Sequence, residues 1–217
     1  MTVTLNHHTP LQVCSDSIRQ CWQSQDKSDS GGPADLALID RVGNKFKHAS
    51  TLEHLTYNFT IEGISRACLQ ELARHRMASL SVKSTRYTLK ELKSEDHFLD
   101  YSDTSGDFEA HNDGYNRAQK YLVFTESQAV NVASIQALDN LREILLDGAA
   151  NDVAKYCLPE SYKTSLSWTI NARSLQNFIH LRTSKSALWE IRDLANAIFE
   201  ALPADHKYLF ENLTTNH

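Results

Sequence analysis

The 217-residue sequence predicts an α+β fold in which a small antiparallel sheet is packed with several helices. Three observations carry that expectation. Two segments, 55–61 and 162–170, alternate apolar and polar side chains with the period of a half-buried strand. Most of the remaining apolar residues recur at helical spacing. Strands and helices do not alternate in the βαβ rhythm that would build a parallel sheet. The whole chain, 1–217, is expected to form one domain.

Along the chain, 15–23 predicts a short helix with Ser15 as N-cap and Ile18 and Trp22 on one face. Residues 24–35 (SQDKSDSGGPAD) are rich in turn formers and predict a surface loop, with a mobile lid as the alternative. A second helix is expected over 35–47, then a short turn capped by Ser50 or Thr51. In 55–61, Leu55, Tyr57, Phe59 and Ile61 alternate with Thr56, Asn58 and Thr60, so one side of this strand is wet and its pairing antiparallel. Ser65 opens a helix that ends near Arg76 and gives way to a polar, basic loop. A polar, acidic excursion near 93–114 follows, part of it helical. Residues 115–147 read as a long helix broken once and closed by Gly148, and 151–157 as a helix stopped by Pro159. Helices over 171–181 and 186–202 follow the second strand, the last ended by Pro203.

Composition removes several classes of function. With 41% hydrophobic residues the chain can build a core, and a net charge of -5 does not draw in a polyanion as a whole. Seven glycines form neither GxGxxG nor the P-loop spacing, so any nucleotide must be held another way. Cys14, Cys21, Cys68 and Cys157 are scattered without a CxxC, which predicts reduced thiols, a cytoplasmic setting and neither a zinc site nor a disulfide framework. All four read as small buried fillers, none needed for catalysis. The start lacks the basic head and apolar run of a secretory signal, and no stretch reaches the length of a membrane helix.

The densest chemistry lies in 74–87, RHRMASLSVKSTRY. Guanidiniums offer planar forks matched to phosphate, and the serine hydroxyls donate or accept around them. On a helix Arg74 and Arg76 would point to different sides, which argues against a plain solvated face. An alternative use is a single-stranded nucleic-acid-binding module, with Arg74, Arg76, Lys83, Arg86 and Lys90 along the phosphates and Tyr87 stacked on a base. Two further clusters stand out. HASTLEH holds His48, Ser50, Glu53 and His54 without the HExxH spacing of a metal site, and its structural reading is that Glu53 and His54 cap the following strand. NARSLQNFIHLR places Arg173 and Asn177 one four-residue step apart, with Leu175, Phe178 and Leu181 expected on the core side.

These blocks resemble the flavin-dependent thymidylate synthases. RHRMASLSVKSTRY is similar to the signature RHRxxSxNxxSxRY, matching at Arg74, His75, Arg76, Ser79, Ser84, Arg86 and Tyr87, with Ser81 where the pattern has Asn. HASTLEH is similar to HxTxxEH, and NARSLQNFIHLR to NxRxxxNFxxLR. The resemblance implies conversion of dUMP to dTMP, with methylenetetrahydrofolate as carbon donor, FAD as hydride carrier, NADPH as reductant and no covalent enzyme nucleophile. It implies a homotetramer with shared sites, and the residue spacing noted above predicts no metal. Carried over, Arg182 is the catalytic residue, stabilising the pyrimidine as an anion. Glu71, Arg74, Val82, Lys83, Ser84, Thr85, Arg86, Lys155 and Arg182 would bind dUMP. His48, Ser50, Glu53, Arg74, His75, Arg76, Val82, Asn171, Arg173 and Asn177 would bind FAD. Three further positions depart from the family's usual residues: Glu71 for Gln, Val82 for Glu and Lys155 for Arg.

Overall fold

The computed structural model describes residues 1–99 and 113–213, so 100–112 of the polar excursion expected near 93–114 lies outside the described residues. The chain opens with β1 (Thr2–His8), α1 (Leu11–Trp22) and α2 (Pro33–Ile39), the last running into a π-helical turn, Asp40–Lys45. A 3-10 turn, Ala49–His54, leads into β2 (Thr56–Ser65), α3 (Arg66–Ala73), β3 (Ala78–Val82) and α4 (Thr85–Thr88). Then come α5 (Asp113–Ala118), α6 (Gln128–Leu146), α7 (Asn151–Ala154), β4 (Lys163–Asn171), α8 (Ala172–Arg182) and α9 (Trp189–Ala201). The strands form one antiparallel sheet in the order β1-β2-β4-β3, and the α+β class is as the sequence predicts.

The described residues group into two compact units. One comprises Met1–Glu62, Glu71–Ser81 and Leu166–His217; the other comprises Gly63–Gln70 and Val82–Ser165. In the first, strand alternation builds the core. Tyr57, Phe59 and Ile61 of β2 and Leu166, Trp168 and Ile170 of β4 are buried, while Asn58 reaches from the opposite face to the hydroxyls of Ser167 and Thr169. Leu175 and Phe178 of α8 and Ile191, Leu194 and Ile198 of α9 are also buried in this unit. Each such side chain contributes about 1.5–3 kcal/mol. Trp168 meets Phe59 at 6.3 Å and Phe178 at 5.1 Å between ring centroids. The loop 24–35 is tied down: buried Asp35 accepts from Arg19 Nε at 2.8 Å, the Ser28 hydroxyl at 2.8 Å and the Gly31 amide at 2.9 Å.

The second unit packs Leu89, Leu92, Phe98, Tyr121, Ile135, Leu138, Leu141 and Leu145 together. Its buried carboxylate, Asp139, accepts from the amides of Phe98 (2.9 Å) and Leu99 (3.0 Å). Glu95 gathers the Tyr121 hydroxyl at 2.6 Å, Lys120 at 3.0 Å and Arg117 at 3.2 Å. Among the described residues no helix is long and apolar enough to cross a membrane, and no cluster of His, Cys, Asp and Glu is arranged to hold a metal ion.

Several boundaries follow expectation for the expected reason. The Ser65 hydroxyl accepts from the Cys68 amide at 3.0 Å as α3 begins, Gly148 takes a positive φ of 96° after α6, and the long helical segment is broken once, between α5 and α6. Others are corrected. Helix α1 begins four residues before Ser15, which is buried inside it with its hydroxyl donating to Gln12 O at 2.9 Å. The segment after Arg76 is a strand, β3, where a loop was expected; its serines are on exposed positions, where a strand tolerates them. Strand β1 had no counterpart in the sequence reading. Cys21 and Cys157 are exposed, against the expectation that all four thiols are buried.

Candidate active site

The site of the first unit is built where α3 ends and where α8 begins and ends. Helix α3 stops at Ala73, so Arg74, His75 and Arg76 lie on non-helical backbone, and both arginines face one cleft of about 620 Å³. The helical geometry that would have separated them does not apply. Asn171 caps α8, its side-chain oxygen accepting from the Ser174 amide at 2.9 Å. From there the helix presents Arg173, Ser174, Asn177, Leu181 and Arg182 to the same cleft, with Glu53 and Met77 completing the wall.

Arg182 is the most constrained group in this cleft. Its Nε donates to His75 Nε2 at 3.0 Å, its Nη1 to Glu71 Oε2 at 2.8 Å and its Nη2 to the Glu71 carbonyl at 3.4 Å. Since Nε2 accepts, His75 carries its proton on Nδ1. Burial pushes His75 down to about 4, the Arg182 and Arg74 charges pushing the same way and Glu71 opposing them, so the ring is neutral near pH 7. The ring meets Phe178 nearly at right angles, 4.9 Å between centroids. Glu71 also pairs with Arg74 at 3.4 Å. Glu71, the departure from the family's Gln, is thus an anchor for two guanidiniums.

A second cavity of about 600 Å³ in the same unit is lined by His48, Ser50, Thr51, Lys47, Cys21, Trp22 and Arg173. Arg173 therefore faces both, and it reaches Glu53 at 2.6 Å. Of the residues expected at FAD, Glu53, Arg74, His75, Arg76, Asn171, Arg173 and Asn177 share the first cavity, and His48 and Ser50 share the second with Arg173.

The remaining expected nucleotide contacts belong to the second unit. Val82 ends β3 and is exposed, and the Lys83 amide donates to Ser165 O at 2.8 Å. Ser84 precedes α4, which begins at Thr85. Lys83 pairs with Glu91 at 3.2 Å, Arg86 with Asp152 at 2.9 Å, and Lys155 lies 5.7 Å from the Tyr156 ring centroid. Carboxylates thus accompany much of the basic run, which weighs against its tracking a polynucleotide.

Sequence reasoning missed Met77, Ser174 and Leu181 as cleft residues. Ser174 was legible, since it follows Arg173 directly and lies one three-residue step before Asn177 on the helix. Leu181 was expected in the core with Leu175 and Phe178 and is instead half exposed. Each three-residue step turns an α-helix about 60° short of a full circle, so two steps carry Leu181 out of the core face.

Comparison with known proteins agrees with this geometry. The family model described as "Thymidylate synthase complementing protein" matches residues 4–205. A flavin-dependent thymidylate synthase of Wolinella succinogenes is 67% identical over 210 residues, covering 97% of each chain. The chain belongs to the flavin-dependent thymidylate synthase family. Another member, from Helicobacter pylori, is 55% identical over 213 residues, covering 98% of both chains. The crystal structure of the Helicobacter pylori flavin-dependent thymidylate synthase complexed with FAD and dUMP superposes with a TM-score of 0.90 at 54% identity, covering 99% of this chain and 100% of that one. A Streptomyces cacaoi UMP/dUMP methylase shares the fold alone, at 22% identity and a TM-score of 0.70, covering 98% of this chain and 95% of that one. As a flavin-dependent thymidylate synthase, the chain has its guanidinium-rich cleft assembled largely from the RHR and NxRxxxNFxxLR blocks.

Proposed function

We propose that the protein reductively methylates dUMP to dTMP, taking the carbon from methylenetetrahydrofolate and electrons from NADPH, with FAD as its cofactor. The observation that carries the reading is the Arg182 guanidinium, fixed by Glu71 and His75 in the wall of a cleft also lined by Arg74, Arg76, Asn171, Arg173 and Asn177.

The residues present fit FAD. Their donor set (guanidiniums, amides and a hydroxyl) suits a pyrophosphate and a polar isoalloxazine edge, and cavities of about 620 and 600 Å³ meeting at Arg173 lie within the range of ligand sites. Asn171, Arg173 and Asn177, with Arg74, His75, Arg76 and Glu53, would hold it in the first cavity, and His48 and Ser50 in the second; Val82 would add a contact from β3. Bound FAD supplies the hydride that turns the transferred methylene into a methyl group.

The chain's own residues do the rest. Uracil C5 is a poor nucleophile until negative charge develops on the ring, and a fixed guanidinium facing N3 and O4 stabilises that charge where it forms. Arg182 has this role. Arg74, Lys83, Ser84, Thr85, Arg86 and Lys155 would hold the nucleotide's phosphate and sugar, with Val82 next to Lys83 in the chain, while Glu71 holds the Arg182 and Arg74 guanidiniums. Buried Cys14, whose thiol burial pushes up to about 12, is no nucleophile at neutral pH. We place the reaction in the cytoplasm and in a homotetramer whose subunits share sites, which would bring the nucleotide contacts of one copy to the flavin contacts of another.

The test is direct. The purified chain incubated with FAD, dUMP, methylenetetrahydrofolate and NADPH should form dTMP while NADPH absorbance falls. Failure to form dTMP with flavin bound would refute the reading.

A further inference from the structure

The Arg182 guanidinium has five N–H donors and no acceptor. Three are engaged: Nε with His75 Nε2, one Nη1 hydrogen with the Glu71 carboxylate and one Nη2 hydrogen with the Glu71 carbonyl. One N–H remains on each terminal nitrogen. Both partners come from the end of α3 and the residues just after it, while Arg182 is the last residue of α8.

The support extends inward. Phe178 lies one four-residue step before Arg182 on α8, meets His75 edge-on at 4.9 Å and packs on buried Trp168 at 5.1 Å. A rigid aromatic pair in the core thus fixes an imidazole, and the imidazole fixes the guanidinium. Glu71 touches Arg182 at 2.8 Å and Arg74 at 3.4 Å, so one carboxylate offsets two cations at a site meant for a dianionic nucleotide. The charged groups bearing on His75 are these same three: Arg182, Arg74 and Glu71.

We propose that Glu71 and His75 are positioning residues for Arg182, His75 setting the rotation of the guanidinium and Glu71 holding Nη1 while tempering its charge. The arrangement fixes the direction of the two remaining donors and weakens the general attraction for the nucleotide, so that binding energy appears at the ring rather than at the phosphate. The proposal rests on the reading given under Proposed function. It differs from a direct nucleotide contact by Glu71 in the sign of one measurable effect.

The experiment is steady-state dTMP formation by the flavin-loaded full chain at saturating FAD. Glu71→Gln keeps an acceptor oxygen and removes the charge, so KM for dUMP should fall about threefold or more while kcat stays within about threefold. Glu71→Ala also removes the anchor, and kcat should fall about tenfold or more without a rise in KM. His75→Ala should lose kcat similarly, and His75→Gln, whose amide oxygen replaces the Nε2 acceptor, should recover most of it. A higher KM for dUMP in Glu71→Gln would overturn the proposal, since the carboxylate would then be a nucleotide ligand. Equal kcat losses in the Gln and Ala variants would overturn it as well. Where an alanine variant does not fold, Glu71→Gln decides alone: a lower KM supports the proposal, and an unchanged or higher one ends it. An unmutated chain that makes no dTMP would instead refute the functional reading, which keeps the two failures apart.

Discussion

Arg173 and Glu53, 120 positions apart in the chain, meet at 2.6 Å between Nη1 and Oε1. The pair joins the start of α8 to the 3-10 turn before β2, and Arg173 lines both cavities of its unit. Both side chains are about half exposed, so their ion pair contributes about 0–1 kcal/mol to stability. Glu53→Gln should shift the melting temperature by no more than about 4 °C. Arg173→Ala should instead weaken FAD about tenfold or more. Thermal denaturation and flavin titration separate the two effects.

Arg182→Ala should keep the fold and the flavin and lose turnover by about 10²–10³, the size expected when a preorganised donor to a developing charge is removed. The checks are the flavin absorbance of the purified variant and its rate of dTMP formation. Near-normal turnover would remove Arg182 from the catalytic role.

The buried Arg19–Asp35 pair makes the opposite kind of prediction. Asp35 is fully buried, and Arg19 nearly so. Asp35→Ala strands a guanidinium in the core and frees the Ser28 hydroxyl and Gly31 amide, so it should destabilise the fold by about 3–5 kcal/mol. Urea denaturation reads this directly, and an unchanged midpoint would contradict it.

Stability should fall in acid, for a reason that can be assigned. Burial pushes His206 down to about 4, Asp205 opposing and His8 adding to it, and His75 lies near the same value. A histidine depressed in the fold binds its proton first in the unfolded chain. Its contribution is therefore complete above about 6.5 and is lost as pH falls towards 4. Asp35 acts lower: burial would raise it, but the Gly31 amide, Arg19 and Ser28 bring it to about 2, so its share is lost between about 3.9 and 2. Denaturation at pH 7, 6 and 5 should show declining stability, with a shallower slope in His206→Gln. An identical slope would show that His206, whose Nδ1 lies 2.8 Å from the Tyr57 hydroxyl, does not take part.

Replacing Cys14 and Cys68 by Ala and exposed Cys21 and Cys157 by Ser should leave dTMP formation within about threefold in a folded, flavin-loaded protein. The two buried replacements should destabilise the fold modestly, by about 1 kcal/mol each. Abolished turnover in that protein would reinstate a covalent nucleophile.

Where side-chain pattern and backbone period coincide, the sequence was readable. β2 and β4 alternate cleanly because one face packs in the core and the other is wet, and the Asn171 cap and the Arg173–Asn177 stripe follow from helix geometry alone. β1 escaped notice because most of its residues on both faces are polar or small: Thr2, Thr4, Asn6, His7 and His8 leave Val3 and Leu5 too few to show a period. β3 was hidden by serines that read equally well as a loop. The roles of Glu71 and His75 toward Arg182 were illegible for a different reason. They link residues more than 100 positions apart, and no local pattern records which carboxylate will meet which guanidinium.

The division into units has a consequence for synthesis on the ribosome. The second unit ends at Ser165, whereas the first needs both Met1–Glu62 and Leu166–His217. The β1–β2 pair therefore emerges early, but β4, which lies beside β2, and the helices α8 and α9 are made only after the whole second unit. For that interval the pair's apolar face depends on the speed of elongation, or on a chaperone, to stay clear of other nascent chains.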